Sequence, residues 1–165
     1  MIIKIEKACR SDAKRLAEVY NMSFYSDYLK YGECPGYNKT ENDILDNLQK
    51  RDVYKIIADG AIVGAVSVRP EGDESYYLGA LCVIPKYANK GIGQTAMRFL
   101  DKKYPNARHW ALETPSDKTQ NHYFYKKFNF KITKEYMSGG IAISFFERSI
   151  QPVSYTHLRA HETLM

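Results

Sequence analysis

The chain has 165 residues, a length that fits one domain with a substantial hydrophobic core. Hydrophobic residues make up 44% and charged residues 26%, a globular composition that argues against a disordered or fibrous protein. No apolar run approaches the roughly 18 residues that span a bilayer, and no signal-peptide segment is recognisable, so we expect a soluble cytoplasmic protein without a membrane partner. The net charge of +5 suits an anionic partner without identifying it.

The cysteines and the last residues narrow the problem further. Cys9, Cys34 and Cys82 have neither the number nor the spacing of a disulfide framework or a zinc site, so no metal is predicted. From Pro152 onward the chain has no helical or strand periodicity, and residues 152–163 resemble a translated sequencing adapter. We therefore expect one domain over residues 1–150 and a non-native, unstructured tail over residues 151–165.

The N-terminal pattern predicts a strand followed by a helix. Residues 2–8 alternate as a half-buried strand does, and Ser11 is placed to cap the helix that follows. The apolar face of this helix consists of Ala13, Leu16, Ala17, Tyr20 and Phe24. A loop rich in aromatic residues is expected over residues 25–38.

A second helix and a hairpin come next. Thr40 and Asp43 are spaced as a capping pair at the start of a short helix. Residues 53–58 and 61–68 flank the turn Asp59-Gly60, which is the signature of a β-hairpin.

The second half of the chain continues the alternation. After a polar loop over residues 70–75, residues 76–84 are almost continuously apolar, which predicts a strand buried on both faces. The remaining predicted elements are a helix beginning near Ile92, a strand over residues 109–114, a helix over about 117–128 that stops at Asn129, and strands over residues 130–137 and 141–150. This order indicates an α/β or α+β fold.

The most specific motif joins the apolar strand to a helix over residues 83–95. Gly91 and Gly93 stand at the helix start, where glycine lets the backbone approach a ligand closely. The free N–H groups and the dipole of that helix favour an anion such as a pyrophosphate. A glycine-eased turn with solvated lysines is the alternative.

The same glycines also satisfy a dinucleotide-binding pattern. Residues 91–96 fit G-x-G-x-x-A, and Glu113 lies at about the distance of a ribose-binding acid. However, residues 85–90 separate the strand from the first glycine, and the preceding hairpin does not belong to a doubly wound sheet. Both observations disfavour a dinucleotide.

With this glycine motif and two further segments, the chain resembles the GNAT superfamily of acetyl-CoA-dependent N-acetyltransferases. The resemblance covers residues 1–150. Three segments match in order: the strand end Leu81-Cys82-Val83-Ile84-Pro85, a loop over residues 87–93 similar to R/Q-x-x-G-x-G/A, and residues 121–130 similar to N…FYxxxGF. Ala88 stands where the family usually has Arg or Gln, and Asn129 replaces a glycine.

The resemblance implies a fold and a cosubstrate. The fold is a central, mostly antiparallel sheet that is splayed at the cofactor wedge and flanked by four helices. Acetyl-CoA would lie between the strand at residues 76–84 and the strand at residues 109–114, and its polyanionic character accounts for the basic balance of the chain. The implied cofactor-binding residues are Leu81, Cys82, Val83, Ala88, Asn89, Lys90, Gly91, Ile92, Gly93, Gln94, Thr95 and Asn121; for Asn121, simple exposure to solvent is the alternative.

Tyr125 is the catalytic acid that the resemblance implies. It is the second aromatic residue of the FY pair, from which several family members present a phenol to the CoA sulfur. A tyrosine, with an ordinary pKa of about 10, is protonated at neutral pH and can protonate a departing thiolate. Core packing beside Phe124 and Phe128 is the alternative.

The general base is less well defined. Glu113, near the end of its strand, is the leading candidate; Glu33 and Glu74 are weaker ones, and proton removal through ordered water is also open. A lone helical histidine such as His122 is more often structural, and a cysteine in a buried strand such as Cys82 is usually inert.

The acceptor side is assigned to the first two helices and their connection. Tyr28, Tyr31 and Glu33, with Tyr25 and Tyr37 nearby, suit a cationic or aromatic amine through cation–π contact and ion pairing. A loop that packs on itself is the alternative.

The predicted function is transfer of an acetyl group from acetyl-CoA to a primary amine by direct attack in a ternary complex. The partner is a small-molecule or peptide amine and not a nucleic acid, and the enzyme is a monomer or homodimer. A non-catalytic acyl-CoA-binding module is the alternative from another functional class.

Overall fold

The computed structural model describes residues 1–150. The predicted tail, residues 151–165, lies outside the described residues. Seven strands and four α-helices occur in residues 1–150, in the predicted order: β1 Ile3–Lys7, α1 Ala13–Tyr31, α2 Glu41–Lys50, β2 Asp52–Ala58, β3 Ala61–Gly72, β4 Ser75–Val83, α3 Ile92–Lys103, β5 His109–Pro115, α4 Thr119–Lys127, β6 Lys131–Ser138 and β7 Ile141–Ser149. Within this described part, none of the helices is both long and apolar enough to cross a membrane.

The chain forms two compact units. The first combines Met1–Pro70 with Tyr77–Pro105, and the second combines Glu71–Tyr76 with residues 106–150. The strand order is β1-β2-β3-β4 in the first unit and β5-β7-β6 in the second. The pairs β1–β2, β2–β3, β5–β7 and β6–β7 are antiparallel. The mixed α/β class and the mostly antiparallel pairing are therefore confirmed.

In the first unit, helices cover both faces of the sheet. Lys55 of β2 forms an ion pair with Asp12, just before α1, at 2.9 Å. The adjacent Tyr54 packs against Phe99 of α3 with ring centroids 5.0 Å apart. Because successive residues of a strand point to opposite faces, α1 and α3 lie on opposite sides of β2.

In the second unit, α4 covers one face of the three strands. Phe146 of β7 is fully buried, and its ring contacts His122 and Tyr125 of α4 at centroid distances of 5.1 and 6.1 Å. Leu112 of β5 is buried as well. The next residue, Glu113, pairs across the strands with Phe145, so both belong to the opposite face of the sheet.

The start of α1 differs from the predicted Ser11 cap. The chain first makes a short 3-10 turn, Arg10–Asp12, and the main-chain N–H of Cys9 donates to the Asp12 carboxylate at 2.9 Å. Asp12 takes the capping role because it is placed three residues after Cys9, where an acid can reach back to the preceding N–H. The Ser11 prediction is therefore wrong.

Two predicted loops are shorter than expected. Helix α1 continues to Tyr31 because no helix breaker precedes Gly32, which ends the helix with φ 77°. Strand β3 continues to Gly72 and β4 begins at Ser75, because Asp73 and Glu74, with φ 55° and 59°, are sufficient for the turn. The capping pair Thr40–Asp43 is confirmed.

Candidate active site

The N-terminus of α3 has no side-chain cap. Its N-cap residue, Gly91, has φ 79°, and the first turn contains no acid. The N–H groups of Ile92, Gly93 and Gln94 are the unsatisfied donors that every helix start leaves. A Cβ at Gly91 would meet no atom of residues 1–150 within 4 Å, so the helix end is open to a ligand.

The loop before α3 is anchored by Tyr87 and carries two cations. The Tyr87 hydroxyl donates to the Asp59 carboxylate at 2.9 Å, and this hydrogen bond raises the pKa of Tyr87. The ammonium groups of Lys86 and Lys90 lie 5.9 and 5.5 Å from the centre of the Tyr87 ring. Sequence reasoning missed this role of Tyr87, whose only signal was its position within the glycine motif.

Two further residues of the loop have the expected placement. Asn89 adopts the left-handed φ of 59°, which Asn tolerates better than most residues. Ala88 is exposed and offers no side chain to an anion, so binding at this helix end depends on main-chain N–H groups and lysines.

Strand β4 is less buried than predicted. Leu78 and Cys82 are buried, whereas Leu81 and Val83 are only half-buried. The expectation of burial on both faces is therefore wrong. The side chains of Leu81 and Val83 are only partly covered by residues 1–150, so this strand keeps some exposed apolar surface.

The main-chain groups of the three predicted cofactor-binding residues of β4 point in different directions. These residues are Leu81, Cys82 and Val83. The Ile84 N–H donates to Val63 of β3 at 2.8 Å, and the Cys82 carbonyl oxygen lies 2.5 Å from the position a Cβ would take at Gly64. Main-chain groups alternate along a strand, so those of Leu81 and Val83 point away from β3. Burial raises the pKa of the Cys82 thiol to about 12, which leaves it neutral and unreactive.

In the second unit, Tyr125 is half-buried in an aromatic cluster. Its ring lies 5.1 Å from Phe124, 5.8 Å from Phe130 and 6.1 Å from Phe146, between centroids. The ring of Tyr125 therefore packs beside Phe124, as the alternative expected, and its other ring contacts are to Phe130 and Phe146. Packing of the ring fixes the direction of the phenol, which a general acid also needs.

Asn121 and His122 join α4 to β5. The Asn121 amide nitrogen donates to Thr114 Oγ1 at 3.0 Å, and His122 Nε2 lies 3.3 Å from the Pro115 carbonyl oxygen. His122 also packs edge-on against Phe146. These contacts support the structural interpretation of His122 and hold Asn121 by one side of its amide.

Glu113 lies on the face of β5 opposite α4. Its carboxylate accepts a hydrogen bond from the hydroxyl of Tyr136 on β6. The strand therefore separates Glu113 from Tyr125, and the structure does not bring the two catalytic candidates together. Tyr136 was missed because one tyrosine in an exposed strand carries no signal in the sequence.

The acceptor candidates lie near the end of α1. Tyr28 stacks on Tyr37 with centroids 4.5 Å apart, and Tyr25 approaches Tyr37 at 5.7 Å. Tyr31 receives the Lys30 ammonium at 5.2 Å, and Glu33 is exposed. Tyr25 and Tyr28 thus pack on Tyr37, and the acceptor role of Tyr28, Tyr31 and Glu33 stays a prediction.

The chain has relatives among known protein families and curated sequences. The acetyltransferase (GNAT) domain family matches residues 49–132. The uncharacterized protein YrkN of Bacillus subtilis is 30% identical over 128 residues, which cover 74% of this chain and 68% of YrkN.

Solved structures share the fold at low identity. The PaiA N-acetyltransferase of Thermoplasma acidophilum, crystallised with coenzyme A, is 19% identical, has a TM-score of 0.77, and is matched over 91% of this chain and 100% of its own. A GNAT family acetyltransferase of Elizabethkingia anophelis with acetyl-CoA bound is 17% identical, has a TM-score of 0.66, and is matched over 90% of this chain and 98% of its own. Together with the family and sequence matches, these findings show that the chain belongs to the GNAT acetyltransferase family.

Proposed function

We propose that the protein transfers an acetyl group from acetyl-CoA to a primary amine within a ternary complex. The observation that carries this proposal is the open, uncapped N-terminus of α3 with Lys86 and Lys90 beside it, in a chain of the GNAT family. Main-chain N–H groups at a helix start bind phosphate oxygens, and the helix dipole adds to their effect.

The residues present fit the cosubstrate at two places. The N–H groups of Ile92, Gly93 and Gln94 would hold the pyrophosphate, with Lys90 as a mobile cation. Leu81 and Val83 direct main-chain groups away from β3 and would bind the pantetheine amides, with Asn121 as a further candidate. We assign Cys82 no polar contact with the cosubstrate, because its thiol is buried and its carbonyl oxygen lies against β3.

Acetyl transfer requires two proton movements. When bound, acetyl-CoA supplies an activated acyl thioester. The amine nitrogen forms a bond to the acyl carbon and loses a proton, while the carbon–sulfur bond breaks and the thiolate gains one. We assign the second proton to the Tyr125 hydroxyl, whose ring is held by Phe124, Phe130 and Phe146.

Glu113 remains our candidate for removal of the amine proton. The hydrogen bond from Tyr136 orients its carboxylate on the face of β5 away from α4. Tyr125 lies on the α4 side of β5 and Glu113 on the other side, so the two residues are assigned separate proton transfers and do not contact each other. Ordered water is the alternative base, and it predicts a different pH profile.

Kinetics with a matched pair of variants tests these roles. Tyr125→Phe keeps the ring packing and should lower kcat about 10²-fold with little change in acetyl-CoA affinity, the signature of an interaction made in the transition state. Tyr123→Phe, an exposed tyrosine of the same helix, is the control. Full kcat in Tyr125→Phe, with chemistry rate-limiting, would show that the phenol is structural.

The base is tested separately by pH. Glu113→Gln should displace the acidic limb of the kcat profile if Glu113 takes the proton, and leave it in place if water does. Acetyl-CoA binding with no turnover on a broad amine panel would instead favour a non-catalytic acyl-CoA-binding module.

A further inference from the structure

A polar cluster in the first unit has no role in the function proposed so far. It lies where the end of α2 meets β3 and β4, and it consists of Arg51, Tyr20, Ser67 and Gly79. Tyr20 and Ser67 are each 3% exposed, and Arg51 is half-buried. The Ser67 hydroxyl and the Arg51 guanidinium both interact with the Tyr20 phenol.

Arg51 is a cation without a counter-charge. Within residues 1–150 its guanidinium has no carboxylate or carbonyl partner. Burial raises the pKa of Tyr20, so the phenol beside it is neutral. The neighbouring Asp52 is engaged elsewhere, with Lys7 at 3.1 Å and Tyr104 at 2.6 Å. A half-buried guanidinium offers five N–H donors and no acceptor, so its charge and its donors are available to an anion.

The guanidinium of Arg51 lies directly over the backbone of β4. One terminal nitrogen of Arg51 lies 2.4 Å from the position that a Cβ would take at Gly79, with Ser67 Oγ 3.6 Å from the same point. Any side chain at residue 79 would therefore displace the guanidinium. Glycine at this position lets Arg51 lie directly on the strand.

The place of Gly79 on β4 puts the cluster near the expected position of the thioester. In the proposed function the pyrophosphate lies at the start of α3, and pantetheine runs back along β4 past Val83 and Leu81. The thioester end then points toward the middle of the strand, and Gly79 is the residue two positions before Leu81. Two residues of a strand span roughly 7 Å, a distance that a small amino acid bridges.

We propose that Arg51, with Ser67 and Tyr20, binds a carboxylate of the acceptor, so that the acceptor is a small amine that also carries a carboxylate, such as an amino acid. This inference rests on the proposed acetyl transfer. A guanidinium fork matches the two oxygens of a carboxylate, and of the Tyr20 and Ser67 hydroxyls, which hydrogen-bond each other, one can supply a further donor. The carboxylate at Arg51 leaves the amine of the same molecule to approach the thioester.

The test compares each proteinogenic amino acid with its own α-carboxamide, which keeps the amine and removes the charge. Release of CoA is measured for both, and the readout is the ratio of their kcat/KM values. The wild type should prefer the acid by about 10- to 100-fold, the range expected for a charged hydrogen bond. Phosphoethanolamine is included because a phosphate could occupy the same guanidinium.

Three variants of the cluster and one control variant test this preference further. Arg51→Gln should bring the ratio close to one without changing the KM for acetyl-CoA, and Arg51→Lys should restore part of it. Gly79→Ala keeps the arginine but displaces it, at little cost because the displaced atom is the end of a flexible side chain, and should also reduce the ratio. Arg10→Gln, an exposed arginine outside the cluster, should leave the ratio unchanged.

The outcomes separate the two proposals. Turnover with no preference for the acid, or a preference that persists in Arg51→Gln, overturns the carboxylate assignment and leaves acetyl transfer intact. Phosphoethanolamine surpassing every amino acid overturns it in favour of a phosphate. Turnover on a broad amine panel with none on the amino acids overturns the carboxylate assignment alone, whereas failure to bind acetyl-CoA overturns the proposed function itself.

Discussion

Helices α2 and α3 begin in opposite ways. At the start of α2, the Thr40 N–H donates to the Asp43 carboxylate at 2.8 Å, and the Asp43 N–H donates to the Thr40 hydroxyl at 3.1 Å. Glu41 adds a second acid to the first turn. At the start of α3, Gly91 takes the place of Thr40 and Gln94 that of Asp43, no acid is present, and two lysines precede the helix.

This difference separates structural stability from ligand binding. The donors of α2 are satisfied within the chain, so that helix end has no capacity left for an anion. The donors of α3 are satisfied by no side chain of residues 1–150, so the fold bears a small cost there that a bound anion can offset. Changes at a helix start of the first kind should affect folding and not binding, whereas changes at one of the second kind should affect binding.

The largest expected effect comes from giving α3 the acid of α2. Gln94→Glu places a carboxylate at the third position of the helix, where α2 has Asp43. The acid should stabilise the helix end but repel a pyrophosphate, so we expect the Kd for CoA to rise about 10-fold while the melting temperature does not fall. Calorimetry with CoA and a thermal melt of the apo protein measure the two effects.

The neutral substitution Gln94→Met is the control, and it should bind CoA like the wild type. Raising the salt concentration should reduce the difference between Glu and Met, because the repulsion is screened. Unchanged CoA affinity in Gln94→Glu would mean that the pyrophosphate does not bind at this helix end.

The contrast also shows which parts of the site could be derived from the sequence. The Thr40–Asp43 pair and the glycines of α3 are local patterns, and local patterns fix turns and helix ends. Asn129 follows the end of α4 and has φ 70°, the left-handed conformation that an asparagine at this position suggests. Helix α1 was cut short in the prediction because its last two turns are aromatic and polar, with no apolar stripe to extend the periodicity.

Long-range contacts could not be derived in the same way. Tyr136 reaches Glu113 from 23 positions along the chain, and Tyr87 reaches Asp59 from 28. Arg51 lies on Gly79 only because β3 and β4 pair beside the end of α2. Strand pairing determines each of these neighbours, and a single sequence does not specify which exposed polar side chains it will bring together.

A smaller effect is expected from opening the start of α2. Thr40→Ala removes the hydroxyl that accepts from the Asp43 N–H, and loss of such a cap costs about 1 kcal/mol in the free energy of unfolding. Urea denaturation should show this loss, and CoA titration should show no change in Kd. A variant that loses CoA affinity to the same degree as Gln94→Glu would contradict the separation of the two helix ends. Thr40→Ser, which keeps the hydroxyl, is the matched control.

The smallest effect is a pH dependence confined to α2. The main-chain N–H and the hydroxyl of Thr40 hold the pKa of Asp43 below its ordinary value of 3.8. Because the folded-state pKa is the lower one, the contribution of Asp43 is fully present above the unfolded-state pKa and is lost as the pH falls through the folded-state pKa. Asp43→Asn should therefore melt below the wild type at pH 7, and the gap should close as the pH falls through the folded-state pKa, which lies below 3.8. Asp46→Asn, which removes an exposed acid paired with Lys50 on the same helix, should show a smaller gap at pH 7. A gap for Asp43→Asn that stays constant from pH 7 to pH 2 would show that the carboxylate charge does not stabilise this helix start.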